Sequence, residues 1–216
     1  MRRFAPVFLA LVIALPSGAQ VIRRGSLGQA PPAVWVSGGA GMTQGWTVTD
    51  GTTGSLWEFG SATQYAASIE KNYSGATLGI RGTTSLVPLR YTGPAAGGVA
   101  TSTDADANVS QLFATVHASG GRGFHSVLEL NVGATRYASF RERGTGARLA
   151  PTSDTDFSLA FGYGAGYQFS NSFAIDVVQD YGTSWHQRTG LDASADASAT
   201  MRGTRIVGRF GLGARR

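Results

Sequence analysis

The sequence predicts an all-β chain folded as an eight-stranded antiparallel up-and-down transmembrane β-barrel, with short turns at one end and longer loops at the other. Three observations predict it. Apolar and polar residues alternate with a period of two through much of the chain. The large apolar members sit opposite glycine, alanine and serine instead of long polar side chains. Short, turn-rich connections alternate with longer ones.

The alternation is plainest from Asp156 to Phe169. One face carries Phe157, Leu159, Phe161, Tyr163, Ala165, Tyr167 and Phe169; the other carries Asp156, Ser158, Ala160, Gly162, Gly164, Gly166 and Gln168. Successive side chains of a strand point to opposite faces, so one face is aromatic and the other small. A soluble sandwich turns its large apolar residues inward and polar residues toward water. Here the small face suits a crowded interior, which leaves the aromatic face to point outward into lipid. Only a closed sheet satisfies every backbone group in hydrocarbon.

The other strands follow in order. Val34, Val36, Ala40 and Met42 are expected to face lipid, with Trp35 turned into the lumen or capping its end. In the second strand Trp57, Phe59, Tyr65, Ala67 and Ile69 oppose Glu58, Gln64, Ala66, Ser68 and Glu70. The third sets Leu78, Ile80 and Leu86 against Arg81, Thr83 and Ser85; the fourth sets Leu112, Ala114 and Val116 against Phe113 and His117. The fifth places Leu128, Leu130, Val132 and Ala134 opposite Glu129, Asn131 and Gly133. After the strand described above, the seventh has Phe173, Ile175, Val177 and Tyr181 outside and Ala174, Asp176 and Asp180 inside, with Gln179 interrupting the apolar face. The eighth has Ile206, Gly208, Phe210 and Leu212 outside and Arg205, Val207 and Arg209 inside.

A Lys or Arg on the lipid face near the midplane costs roughly 2–4 kcal/mol. The mid-strand charges Arg81, Glu129, Asp176 and Arg209 all fall on the face assigned to the lumen.

Short connections at 71–75, 119–123 and 170–172 alternate with longer segments near 43–55, 90–107, 141–155 and 184–199. Three short and four long connections require eight strands. Membrane barrels pair short periplasmic turns with longer outside loops, so both chain ends lie on the periplasmic side. Tyr73, Phe124, Tyr167, Phe169 and Phe173 are then expected in a lower aromatic girdle, and Trp57, Tyr91, Tyr137, Phe157, Tyr181 and Trp185 in an upper one.

The first residues set the compartment. Arg2 and Arg3 precede an apolar stretch from Phe4 to Leu15, Pro16 ends it, and Ser17-Gly18-Ala19 supplies a signal-peptidase pattern. The expected organisation is a signal peptide over 1–19, a linker over 20–32, the barrel over 33–213 and a tail over 214–216. The chain has no cysteine, so an exported fold here relies on its core and closed ladder, not on disulfides. The formal charge is +5, but Arg2, Arg3, Arg23, Arg24, Arg215 and Arg216 lie near the ends; without them 12 basic residues face 13 acidic ones. A nucleic-acid binder gathers basic residues on one face, and none is expected here.

On this pattern the chain resembles the small eight-stranded outer-membrane barrels, the class of outer membrane proteins A and X. The resemblance spans residues 33 to 213 and implies location in the cell outer membrane, contact with lipid and lipopolysaccharide, delivery by the barrel assembly machinery, and a monomeric state. Members of the class usually end in an aromatic residue; this chain ends Phe210-Gly211-Leu212-Gly213-Ala214-Arg215-Arg216.

Eight strands enclose a lumen just wide enough for its own side chains. Glu58, Glu70, Arg81, His125, Glu129, Asp156, Asp176, Asp180, Arg205 and Arg209 are therefore expected to pair within it as a charge network. A proton path, ion path or gate is the competing assignment. His125 and Ser126 are adjacent and face opposite sides, so they do not form a base–nucleophile pair. His186, near Asp180 and Ser184, is the better placed of the histidines for chemistry at the outer leaflet. Three scattered histidines give no metal-site spacing, and no cofactor is expected. Arg141, Arg143 and Arg148 are candidates for binding lipid phosphates. The function expected is a non-enzymatic contribution to envelope structure or surface interaction. The alternatives are a barrel enzyme modifying outer-leaflet lipid and a soluble β-barrel binding a small ligand.

Overall fold

The computed structural model describes residues 31–73, 75–94, 100–186 and 198–214. The expected signal peptide, linker residues 20–30, most of the fourth long loop and the last two residues lie outside the described residues.

Among the described residues the chain is entirely β, with β1 (Pro32–Thr43), β2 (Trp46–Asp50), β3 (Ser55–Phe59), β4 (Ala62–Tyr73), β5 (Ala76–Thr92), β6 (Ser102–Ser119), β7 (Gly123–Glu142), β8 (Ser153–Ser170), β9 (Phe173–Trp185) and β10 (Ser198–Ala214). These ten elements form a ring of eight strands. β2 prolongs β1 past Gln44 and Gly45, and β3 leads into β4 past Gly60 and Ser61. β1 pairs with β4 on one side and β10 on the other, and every pairing is antiparallel. Closure removes both edges of the main ring; beyond it, β2 pairs with β3 alone among the described residues.

The two interruptions invert the face order. Thr43 is buried and so is Trp46; Phe59 is buried and so is Ala62. A step of three between inward residues moves the following side chains to the opposite face, as an irregularity in a strand does. The alternation through residues 57 to 70 is therefore broken at Gly60-Ser61. Trp57 and Phe59 point inward, at 0% and 4% exposure, and Glu58 points out to solvent. Glu58 is consequently no part of the lumen. The expected first long loop, 43–55, is mostly ladder: Trp46–Asp50 pairs with Ser55–Phe59, and only residues 51–54 form the turn.

Elsewhere the outward faces carry the apolar residues. Phe157, Leu159, Phe161, Tyr163, Tyr167, Phe169 and Ile175 are exposed, and Phe173 is half-buried. Gln179, the polar residue on that face, accepts a 2.5 Å hydrogen bond from Thr204 on β10. Trp185 stacks on Phe157 at 5.6 Å, which places an aromatic pair at the edge of the apolar belt nearer the long loops. Tyr91 and Tyr137, expected in that upper girdle, are instead buried inside with Trp57. Their strands run past the belt with unbroken alternation, so odd-numbered residues that face inward at Arg81 and Glu129 still face inward at Tyr91 and Tyr137.

The small face of β8 has a packing cause. Gly162 lies between Glu129 of β7 and Asp180 of β9, and Gly166 lies between His125 and Asp176. A Cβ at Gly166 would come within 1.9 Å of Asp176 Oδ1 and 2.7 Å of His125 Nε2. The glycines therefore leave room for charged side chains that reach over them from both neighbours.

Candidate functional site

The interior has two storeys. The one nearer the short turns is ionic. Arg209 donates to Glu70 at 2.6 Å, and Ser68 and Thr77 donate to the same carboxylate at 2.6 and 2.5 Å. Arg209 Nη1 also donates to His117 Nε2 at 2.8 Å, which leaves His117 Nδ1 to donate to Glu129 Oε1 at 3.1 Å. Arg81 bridges Glu129 at 2.7 Å and Asp180 at 3.2 Å. Arg205 binds Asp180 at 2.7 Å and also meets Glu129. His125 Nε2 lies 3.1 Å from Asp176 Oδ1. Two guanidiniums also lie over rings, Arg209 over Trp35 at 4.9 Å and Arg81 over Phe113 at 5.3 Å.

The storey nearer the long loops is apolar and aromatic. Trp46, Val48, Trp57, Phe59, Val87, Leu89, Tyr91, Val109, Tyr137, Phe140 and Met201 form its buried core. Trp46 stacks on Phe59 at 4.6 Å, and Trp57 packs against Phe140 at 4.8 Å. Where the storeys meet, a cavity of about 30 Å³ is lined by polar Gln64, Gln111, Arg81 and Asp180 and by apolar Trp46 and Met201.

Above the ionic storey, a third group of polar residues gathers around His186, which immediately follows β9. Its ring meets Trp57 edge-on at 4.9 Å. His186 Nδ1 lies 3.0 and 3.1 Å from the two oxygens of Asp156. Ser184 donates to Asp156 at 3.2 Å, and Ser158 to Ser184 at 3.1 Å. The order is thus serine, carboxylate, histidine. A nucleophilic serine needs the imidazole as its direct partner, and here Asp156 takes that place.

No family model matches the sequence, and no curated protein does. Solved structures do match. Neisserial surface protein A superposes with a TM-score of 0.51 at 11% identity, over 85% of this chain and 100% of that one. OprG of Pseudomonas aeruginosa matches at a TM-score of 0.43 and 12% identity, over 85% of this chain and 95% of that one. Ail, the attachment invasion locus protein of Yersinia pestis, solved with the heparin analogue sucrose octasulfate, matches at 0.40 and 15%, over 82% and 99%. At such identities the likeness is one of fold, and it is carried by the first of these. The chain has the fold of the small eight-stranded outer-membrane barrels.

In this outer-membrane-type barrel, Glu70, Arg81, Glu129, Asp176, Asp180, Arg205 and Arg209 lie together in the ionic storey. Asp156 is also buried inside but belongs to the His186 group. Sequence reasoning had omitted His117 from the ionic set, although its inward parity was readable. It had also missed Asp50 and Asp154, which lie 3.9 and 3.8 Å from His186 Nε2. The one signal for them is the pair of acids two residues apart, Asp154 and Asp156, entering β8. Of the third-loop arginines, Arg143 is engaged by Asp106 at 2.7 Å, and Arg141 donates to the Gly146 carbonyl at 3.4 Å.

Burial opposes a charged imidazole at His186, but the Asp156 hydrogen bond and the negative charges of Asp156, Asp154 and Asp50 outweigh it and hold its pKa above the ordinary value. A pKa raised in the folded state stabilises the fold fully below the unfolded value of about 6.5, and that contribution is lost as pH rises through the native value. Urea unfolding in metal-free buffer should therefore show stability falling as pH rises above the unfolded value of about 6.5. His186→Gln should flatten that segment of the profile; an unchanged profile contradicts the assignment.

Proposed function

We propose that the chain is a non-enzymatic barrel of the bacterial outer membrane that contributes to envelope structure and surface contact. The observation that carries this reading is the filled interior, ionic in one half and aromatic in the other, enclosed by an apolar outer belt. Among the described residues a lumen packed in this way offers no wide passage, so the surfaces left for function are the belt and the long-loop end. The belt is read as facing lipid. Arg136 and Arg202 point outward beyond it, on β7 and β10, where lipid phosphates or lipopolysaccharide would lie. Delivery is assigned to the barrel assembly machinery, with outward-facing Phe210 on β10 as the aromatic residue it would engage. The chain is proposed to act as a monomer without a cofactor.

A lipid-modifying activity has less support. Ser184 meets Asp156 and not His186, while His125 faces the interior and Ser126 the exterior.

The test is paired. Purified chain reconstituted in planar bilayers should give no conductance steps, and expressing cells should show unchanged phospholipid and lipid A mass spectra. Regular steps would make it a channel, and altered lipids an enzyme. The outward belt has its own test. Leu130 is exposed near the middle of the belt, so Leu130→Arg should lower stability in phospholipid vesicles by about 2–4 kcal/mol in a urea titration. Glu58→Arg, beyond the belt, should leave it nearly unchanged.

A further inference from the structure

His186 Nε2 is buried, its side chain 1% exposed, and it has no hydrogen-bond partner among the described residues. The other ring nitrogen is accounted for. Asp156 is an acceptor, so Nδ1 carries a proton toward it and the carboxylate fixes the orientation of the ring. Nε2 is thereby turned toward Asp154 Oδ2 at 3.8 Å and Asp50 Oδ1 at 3.9 Å. Both distances are too long for hydrogen bonds. They suit two donors bridged by one ion, since bonds of about 2.0–2.2 Å to nitrogen and oxygen allow a separation of up to about 4 Å. Asp154, Asp156 and His186 each offer a ligand atom within 4.8 Å of the others.

We propose that His186 Nε2 and Asp154, with Asp50 alongside, form a binding site for one divalent transition-metal ion of the zinc type at the long-loop end of the barrel. The donor set selects the class. Calcium and magnesium take oxygen ligands alone, whereas an imidazole among carboxylates suits zinc and its neighbours. Asp156 supplies the outer contact that metal-binding histidines usually make through their second nitrogen. The ion also answers a charge problem, because Asp154 and Asp156 both draw on the same single imidazole.

The ligands come from distant parts of the chain. Asp154 enters β8 and His186 follows β9, while Asp50, which ends β2, flanks the site and accepts from the Thr52 and Thr53 backbone N–H groups at 2.9 and 3.3 Å. A bound ion would tie the start of β8 to His186 after β9 at the mouth of the barrel. Asp154, 30% exposed, is the ligand through which an ion enters.

The test uses the untagged full chain, purified in detergent, stripped with chelator and titrated with zinc chloride near neutral pH. One zinc per chain is expected after desalting, with a higher unfolding temperature. Asp154→Asn, at the half-exposed ligand, and His186→Gln should each weaken binding by about tenfold or more. Glu58→Gln, on the outer face, should bind as the parent does. Heat-dependent gel mobility reports folding, and if His186→Gln fails to fold, Asp154→Asn decides the matter. A parent chain that holds no zinc overturns the proposal, as does a folded Asp154→Asn that holds it equally. Calcium bound in preference to zinc overturns the assigned metal class.

Discussion

Replacing Trp57 with alanine is expected to cost about 3–5 kcal/mol of folding free energy. The side chain is fully buried, in contact with Phe140, Tyr137 and His186, and its indole N–H donates to Ser55 at 2.8 Å. Removal opens a cavity in the centre of the aromatic storey that neighbours on a closed sheet cannot collapse to fill. Trp185→Ala is the matched control. Trp185 lies at the edge of the outer belt against Phe157, where loss of the ring leaves no internal void. Urea unfolding in detergent micelles measures both. A large loss for Trp57 with a small one for Trp185 is the expected pattern; the reverse would place Trp57 outside.

Glu129→Ala is expected to be as damaging, by about 3–5 kcal/mol, for an electrostatic reason. Glu129 receives Arg81, Arg205 and His117, so its removal leaves two buried guanidiniums short of their partner. Asp180 remains, but it is already engaged by both arginines. Because the penalty comes from uncompensated charge, replacing Glu129, Asp180, Arg81 and Arg205 together with apolar residues of similar volume should recover much of the loss. A quadruple variant no better than Glu129→Ala would mean that the cluster contributes through packing instead.

Much of this architecture was legible in the sequence. Strand parity at Leu128–Ala134, Asp156–Phe169 and Ile206–Leu212 assigned inside and outside, because a closed sheet with lipid on one face and a packed lumen on the other tolerates few exceptions. The errors have two physical sources. Reading one period through residues 57–70 ignored the Gly60-Ser61 interruption, and that single step turned Trp57, Phe59 and Glu58 to the wrong faces. A glycine within a strand is a known mark of such a break. The second source was treating every aromatic near a loop as a girdle residue. Tyr91 and Tyr137 keep the inward parity of their own strands, which extend beyond the belt and close the mouth with side chains.

The His186 group was the least legible. Asp50, Asp154, Asp156 and His186 are separated by up to 136 residues, and beyond the Asp154–Asp156 pair no local spacing marks them as neighbours. Only ring closure, which brings the first hairpin across from β8 and β9, makes them a cluster. The ionic storey was easier, because each of its members could be assigned inward from its own strand. Partner choice was not readable, since it depends on register: Glu129 pairs opposite His117 on β6 and Gly162 on β8.

The most direct measurement is lipid-depth quenching of a fluorophore on single cysteines, which the cysteine-free chain accepts without interference. Labels at Leu130→Cys and Phe161→Cys, both on the outer belt, should be quenched strongly by brominated phospholipids in reconstituted vesicles. Labels at Glu58→Cys and Arg136→Cys, outward but beyond the belt, should be quenched weakly. Uniformly weak quenching at Leu130 and Phe161, in a chain that stays soluble without detergent, would contradict a lipid-facing barrel.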